Sequence, residues 1–372
     1  MQPSPDSFLR ELAIQGKALE ENLTNFFDNL IPNHCRTAKL PDYEVWGGKQ
    51  VFKQPYDIQG TEFYGFLVEG TLKNLQDLCD RALNKPDSPV EYRPLSNYFL
   101  ISFDVVNKMN SIDQPDREQG YFSEQEMIVW VPTAVGQNIG PFFLVERIAW
   151  FVPYIFVSNA AALLAGREVY GFPKTIGEFQ IPRPDENPDF FSMDTLMLKD
   201  YSRATAAEVN RLLEIKRINA DANPDIISSH DSLADLMRQV IQLLFGGQGI
   251  INIPGVGFPL KLAEYVIDKE VPAVCLKQFR DTEDGRKACY QAIVELIMRT
   301  TVFHGGKLLG FENLGYQYEL DVFKFASEPM IKDLGLQHHS SKKQTATVPV
   351  KLAFYLNFDF IVENGNVIWE KP

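Results

Sequence analysis

Apolar and polar positions change period several times along this chain. Over residues 5–30 apolar side chains fall at Phe8, Leu9, Leu12, Leu19, Leu23, Phe26, Phe27 and Leu30, in mostly three- and four-residue steps. That spacing predicts an amphipathic helix, closed by Pro32. From Tyr43 to Ile181 the pattern turns to β. Phe63 to Val68, Tyr98 to Val106, Glu126 to Pro132 and Phe151 to Val157 are rich in aromatic and β-branched residues. One helix interrupts them, Thr71 to Leu83, with Thr71 placed to cap it and Leu72, Leu75, Leu78, Cys79 and Leu83 on one face. Thr205 to Ile218 and Ser232 to Phe245 read as helices, the second apolar nearly all round, with Gly246-Gly247-Gln248-Gly249 as its stop. The β pattern returns at Pro272 to Phe279, Ala288 to Thr301, Tyr316 to Phe325, Val348 to Val362 and Val367 to Glu370. Asn364-Gly365 between the last two predicts a hairpin.

Many strands with few helices predict an α+β fold built on a mostly antiparallel, barrel-like sheet. An N-terminal helical extension would occupy residues 1–40. A β-rich domain would occupy 41–372, with a helical insertion at about 200–250.

Composition narrows the function. The 372 residues carry a net charge of −13, with 45% hydrophobic and 23% charged residues. An acidic surface argues against nucleic-acid and anionic-lipid partners, since phosphate binding needs a basic one. The first helix carries Glu11, Glu20, Glu21 and Asp28 on its polar face, which also argues against membrane docking. The four cysteines, Cys35, Cys79, Cys275 and Cys289, form no CxxC pair and predict reduced thiols in a cytoplasmic protein. His338-His339 sits in a polar stretch and the chain has no HExxH or HxH, so no metal is expected. Neither a signal peptide nor an apolar run of ~18 residues is visible. No cofactor is expected. The extension and the apolar helix at 232–245 predict self-association into a homo-oligomer.

The candidate chemistry centres on Leu164 to Gly177, where Lys174 follows Pro173 at the end of a glycine-punctuated apolar run. Such a lysine is either a surface cation or a nucleophilic amine, and the second needs a lowered pKa. Burial against Tyr170, Phe172, Pro173 and Ile176 would supply it.

Gly166-Arg167-Glu168, Phe172-Pro173-Lys174 and Ile176-Gly177 together resemble the signature of the acetoacetate decarboxylase family. Ile101-Ser102-Phe103-Asp104 resembles the family strand that brings an acid into the pocket. Gly120-Tyr121-Phe122-Ser123-Glu124 resembles the segment bearing a second acid. Pro55-Tyr56 through Leu83 and Leu352 to Trp369 resemble the first and last elements. The resemblance implies a Schiff base on Lys174 and decarboxylation of a β-keto-acid-like substrate. Glu124 would be the acid–base group and Asp104 its partner. Arg167 and Glu168 would hold the lysine-bearing turn, and Phe172, Tyr121 and Phe156 would line the pocket. Two positions depart from the family: Thr175 stands where the decarboxylases have a second lysine, and Thr61 where they have an arginine. Lys53, Arg147 or another base would then have to meet a substrate carboxylate. Divergent relatives keep the lysine for aldolase–dehydratase chemistry. A non-catalytic barrel binding an apolar small molecule is the reading from another class.

Overall fold

The computed structural model describes residues 40–44, 53–140, 142–220, 229–232, 270–311, 314–336 and 344–371. The expected helices at 5–30 and 232–245, the glycine stop at 246–249 and the histidine pair at 338–339 lie outside the described residues. The chain divides into a unit over residues 1–46 and a larger one over 47–372, and everything below concerns the larger.

The strands are β1 (Tyr56–Glu69), β2 (Glu91–Pro94), β3 (Tyr98–Ser111), β4 (Phe122–Ile139), β5 (Phe142–Val157), β6 (Lys174–Gln180), β7 (Phe190–Met197), β8 (Glu208–Arg217), β9 (Ser229–His230), β10 (Glu270–Arg280), β11 (Ala288–Phe311), β12 (Leu314–Gly315), β13 (Tyr318–Phe323), β14 (Thr345–Val362) and β15 (Asn366–Lys371). The α-helices among the described residues are α1 (Leu72–Ala82), α2 (Ala160–Ala165) and α3 (Met330–Leu334), with a 3-10 turn at Asp116–Gln119 and a π-helical turn at Gly166–Tyr170. None of them is long and apolar enough to cross a membrane.

The sheet is mixed. Its path runs β12-β11-β10-β5-β6-β7-β8-β13-β14-β1-β3-β4-β2, and the further pairings β11–β14 and β4–β5 fold it back on itself. Most neighbours are antiparallel, as expected, but β5 runs parallel to both β6 and β10. The result is not a simple closed barrel, because β12 and β2 end the path. One face carries a continuous core in which Phe66, Phe103 and Phe191 are fully buried. Their ring centroids lie 4.9–6.5 Å apart. Each such pair adds about 1 kcal/mol beyond its buried area.

Three expectations from pattern fail. Thr205 to Ile218 is not a helix; Glu208–Arg217 is β8, paired on one side with β7 and on the other with β13. Its apolar residues fit either period, and two partner strands decide between them. That part of the expected helical insertion is therefore strand. The Asn364-Gly365 hairpin is absent too, because β15 pairs with β11 rather than β14. Gly365 has no positive φ; its bare Cα instead admits the Val294 side chain, which a Cβ would approach to 2.7 Å. In α1 the apolar face is buried at Leu75, Leu78 and Cys79, while Leu72 is exposed and the Thr71 hydroxyl turns to Asn74 instead of capping the helix.

The arrangement that places the site is a set of rows across the sheet. Facing residues read Thr61, Val106, Glu124 in one row. The next reads Phe63, Asp104, Glu126, Val157, and the third Gly65, Ser102, Ile128, Ile155, Lys174. Side chains alternate along a strand, so these three rows share one face. The intervening row, Tyr64, Phe103, Met127, Phe156, Thr175, faces the other way, into the aromatic core.

Candidate active site

Lys174 opens β6 as the third residue after a left-handed Gly171, whose φ is +82°. The chain reaches it through α2 and the π-helical turn. Asn159 caps α2, its side chain accepting from the Ala162 N–H at 2.9 Å. Gly171 has no room for a side chain: a Cβ there would meet Lys277 Cα at 2.3 Å. Arg167, exposed on the turn, donates from Nη1 to the Lys174 carbonyl at 3.0 Å, which fixes the lysine's backbone. Tyr170 and Phe172 pack edge to face with centroids 6.0 Å apart and belong to the apolar cluster on the site's face.

The Lys174 side chain is 8% exposed, and its Nζ lies 3.7 Å from Glu124 Oε2 and 3.6 Å from Glu126 Oε2. Glu124 and Glu126 are two apart on β4, so alternation puts both carboxyls on the lysine's face. Asp104, on β3, stands directly opposite Glu126. It accepts from Ser102 Oγ at 2.9 Å, and Ser102 in turn accepts from Trp130 Nε1 at 2.9 Å. Three oxygens here are buried without a protein partner within hydrogen-bond distance: Thr61 Oγ1, Asp104 Oδ1 and Glu124 Oε2.

The electrostatics differ from expectation in sign. Burial does push the Lys174 ammonium toward a lower pKa, but Glu124 and Glu126 outweigh it and leave the group above its ordinary value. Burial raises all three acids. Glu126 is pushed up to about 7, by burial and then by Glu124, against the opposing pull of Lys174. Glu124 is raised by burial against the same pull. Asp104 rises well above the carboxylate range through burial and the nearby Glu126, with the Ser102 hydroxyl working the other way. Cys275, also buried, is raised by burial, and the Lys174 cation opposes it.

The structure thus brings Lys174, Glu124 and Asp104 together, with Phe172 on the same face. It does not bring in Phe156, which stands beside Met127 in the intervening row and is buried in the opposite core. Tyr121 is 60% exposed, with the Lys108 ammonium over its ring at 5.5 Å. Glu168 is half-buried on the turn beside Arg167. Glu126 is a site residue that the sequence reading does not single out, although Glu-x-Glu at the head of a strand is itself a signal for two acids on one face. The cations proposed to meet a substrate carboxylate are engaged elsewhere. Lys53 pairs with Asp113 at 3.2 Å. Arg147 forms a bidentate pair with Glu295 at 3.1 and 2.7 Å. Among the described residues no group of His, Cys, Asp and Glu is arranged to hold a metal ion. A crevice of about 290 Å³ lies behind the turn, lined by Gly171, Pro173, Phe151, Tyr154, Leu276 and Asp333 among others, with neither Lys174 nor the three acids in its wall.

The family model for acetoacetate decarboxylase matches residues 89–199, a span that contains Asp104, Glu124, Glu126 and Lys174. No curated protein matches the sequence. Among solved structures, acetoacetate decarboxylase from Legionella pneumophila subsp. pneumophila str. Philadelphia 1 superposes with a TM-score of 0.52 at 11% identity, over 90% of this chain and 94% of that one. This likeness is one of fold. The enduracididine biosynthesis enzyme MppR, complexed with the condensation product of pyruvate and imidazole 4-carboxaldehyde, gives a TM-score of 0.49 at 12% identity, over 89% and 98%. An acetoacetate decarboxylase-like enzyme from Sphingomonas wittichii RW1 gives 0.46 at 10% identity, over 89% and 99%.

Proposed function

We propose, for this divergent and enlarged member of the acetoacetate decarboxylase superfamily, a Schiff-base-forming carbon–carbon lyase activity on a small carbonyl compound, with Lys174 as nucleophile. The observation that carries this reading is a buried lysine 3.7 and 3.6 Å from two glutamates. A lysine in that setting rests as an ammonium, yet its proton has an acceptor close by. Transfer to Glu124 or Glu126 neutralises both groups at once, and a substrate that expels water favours the neutral pair.

The free amine then adds to the carbonyl carbon, the oxygen takes a proton from the carboxyl and the nitrogen gives one up to the carboxylate so formed, which leaves a carbinolamine. A second proton lets that oxygen leave as water, and the iminium remains. Electrons of the adjacent carbon–carbon bond flow into the iminium, giving an enamine and a departing fragment. Protonation of the enamine carbon and hydrolysis return the product and the amine. Three acids with raised pKa values suit these repeated proton transfers near neutrality.

The departing fragment separates two reactions on the same lysine. Decarboxylation of a β-keto acid releases carbon dioxide. Aldol cleavage instead needs a base for a hydroxyl proton, and dehydration needs a base for an α-carbon proton with an acid for the departing hydroxyl; Glu126 favours this second reading because it adds a third carboxyl where a keto acid would add a fourth. Borohydride reduction in the presence of ketones, followed by mass spectrometry, tests the shared step. A reduced adduct on Lys174, absent from Lys174→Ala, is expected. Failure of every carbonyl compound to label Lys174 would leave only a binding protein. Carbon dioxide release from a labelling keto acid then identifies decarboxylation.

A further inference from the structure

We propose that the carbonyl compound taken by Lys174 carries hydroxyl or ammonium donors and no carboxylate. The inference rests on the Schiff-base reading and names its substrate class. Lys174 shares its buried face with Asp104, Glu124 and Glu126. Glu124 and Glu126 already share one cation and Asp104 stands opposite Glu126, so a substrate carboxylate would be a fourth acid on the same desolvated face. Like charges so placed cannot all ionise, and each added one must be neutralised by a proton or excluded.

Buried oxygens without a hydrogen bond give the second observation. Asp104 and Glu124 are 3% and 4% exposed, yet Asp104 Oδ1 has no protein hydrogen-bond partner and Glu124 Oε2 faces only the Lys174 ammonium, at 3.7 Å. Buried carboxyl oxygens left so are costly unless a ligand satisfies them. Thr61 Oγ1 is a third such atom, one strand further along the row that holds Val106 and Glu124. These are acceptors, with the threonine hydroxyl able to act either way. Hydroxyl groups serve them in any protonation state, and an ammonium adds charge complementarity. A carboxylate could be met only by an acid that keeps its proton, and it repels the others. The nearby guanidinium does not alter this balance, because Arg167 lies exposed on the turn and donates to the Lys174 carbonyl. Glu126 is then a specificity determinant as well as a proton carrier.

The test uses three ketones of equal carbon number: hydroxyacetone, aminoacetone and pyruvate. Each is trapped with borohydride on the full chain near neutral pH, and the adduct is mapped by mass spectrometry. Trapping of N-acetyl-lysine normalises for intrinsic reactivity. After normalisation, half-maximal labelling of Lys174 is expected at roughly ten-fold or more lower concentration for hydroxyacetone and aminoacetone than for pyruvate, which corresponds to about 1.4 kcal/mol. Glu126→Gln should narrow that gap, with pyruvate gaining. Labelling by pyruvate at equal or lower concentration than the other two overturns the substrate class while leaving the lysine chemistry intact. Absence of any Lys174 adduct from all three overturns the Schiff-base reading and this inference with it.

Discussion

Gly166 lies directly beneath the side chain of Lys174: a Cβ at position 166 would stand 2.5 Å from the lysine Cδ and 2.7 Å from its Cε. The backbone does not require glycine there, since Gly166 has φ −65° and ψ −43°, ordinary helical values. The bare Cα serves the neighbour. Gly166→Ala should therefore leave the fold in place, with Tm within a few degrees, while pushing the lysine stem away from Glu124 and Glu126. Displacing a nucleophile by about 1 Å costs on the order of a hundred-fold. Borohydride labelling of Lys174 should fall at least ten-fold. Unchanged labelling would show that the stem relaxes around the methyl group.

Burial, and then the Glu124 carboxyl, push Glu126 up from its ordinary 4.5 to about 7. A carboxyl with a raised folded pKa holds its proton more tightly in the native state. Its contribution is most favourable below the unfolded value and is lost as pH rises through the folded one. The wild-type protein should thus lose stability between about pH 4.5 and 7, and Glu126→Gln should flatten that slope in Tm measured against pH. The same substitution removes one of the two charges that hold Lys174 above its ordinary value, so the ammonium should lose its proton at lower pH. Acylation of Lys174 at about pH 8 should become faster than in wild type. An equal or slower rate would mean that Glu124 alone sets the lysine's charge.

The relation between sequence and site shows where pattern is informative. Lys174, Asp104 and Glu124 were legible because a glycine-, proline- and lysine-bearing turn and two acidic segments resemble known elements. The helical period at 205–218 misleads because Val209, Leu212, Leu213 and Ile215 fit a strand equally well, and only the partners β7 and β13 choose. Phe156 was misplaced by one residue of parity: Ile155 faces the lysine and Phe156 the opposite core. Glu126 was hidden by strand bounds. A strand started at Glu126 makes Glu124 a loop residue, whereas β4 begins at Phe122 and aligns both acids. The charge state of Lys174 depended on that same detail, since two glutamates rather than one decide it.

Ser102 is fully buried between Trp130 Nε1, which donates to it, and Asp104 Oδ2, to which it donates. Ser102→Ala removes both bonds and leaves a buried indole N–H and a second carboxyl oxygen without partners. The cost should be about 2 kcal/mol, seen in denaturant unfolding. It should also depend on pH. The Ser102 hydroxyl lowers the Asp104 pKa, so its loss raises that pKa further and penalises the ionised acid. Destabilisation should be larger at about pH 8 than at pH 5. Equal losses at both would place Asp104 in one protonation state across the range.

Arg147 spans β5 to β11 and forks onto both oxygens of Glu295, which also accepts from Tyr92 Oη at 2.7 Å. The carboxylate is 12% exposed and the arginine 27%, so the pair is screened only in part. Arg147→Met would leave Glu295 with the tyrosine alone and should cost about 3 kcal/mol, read as a fall in the unfolding midpoint. Restoring an apolar set with Arg147→Met, Glu295→Leu and Tyr92→Phe should recover much of that loss, because the desolvation penalty disappears with the charges. Labelling of Lys174 by hydroxyacetone should be unchanged in both variants. A selective loss of pyruvate labelling in Arg147→Met would instead mean that this guanidinium leaves Glu295 to meet a substrate carboxylate, and the pairing seen here would then be the resting arrangement of a binding residue.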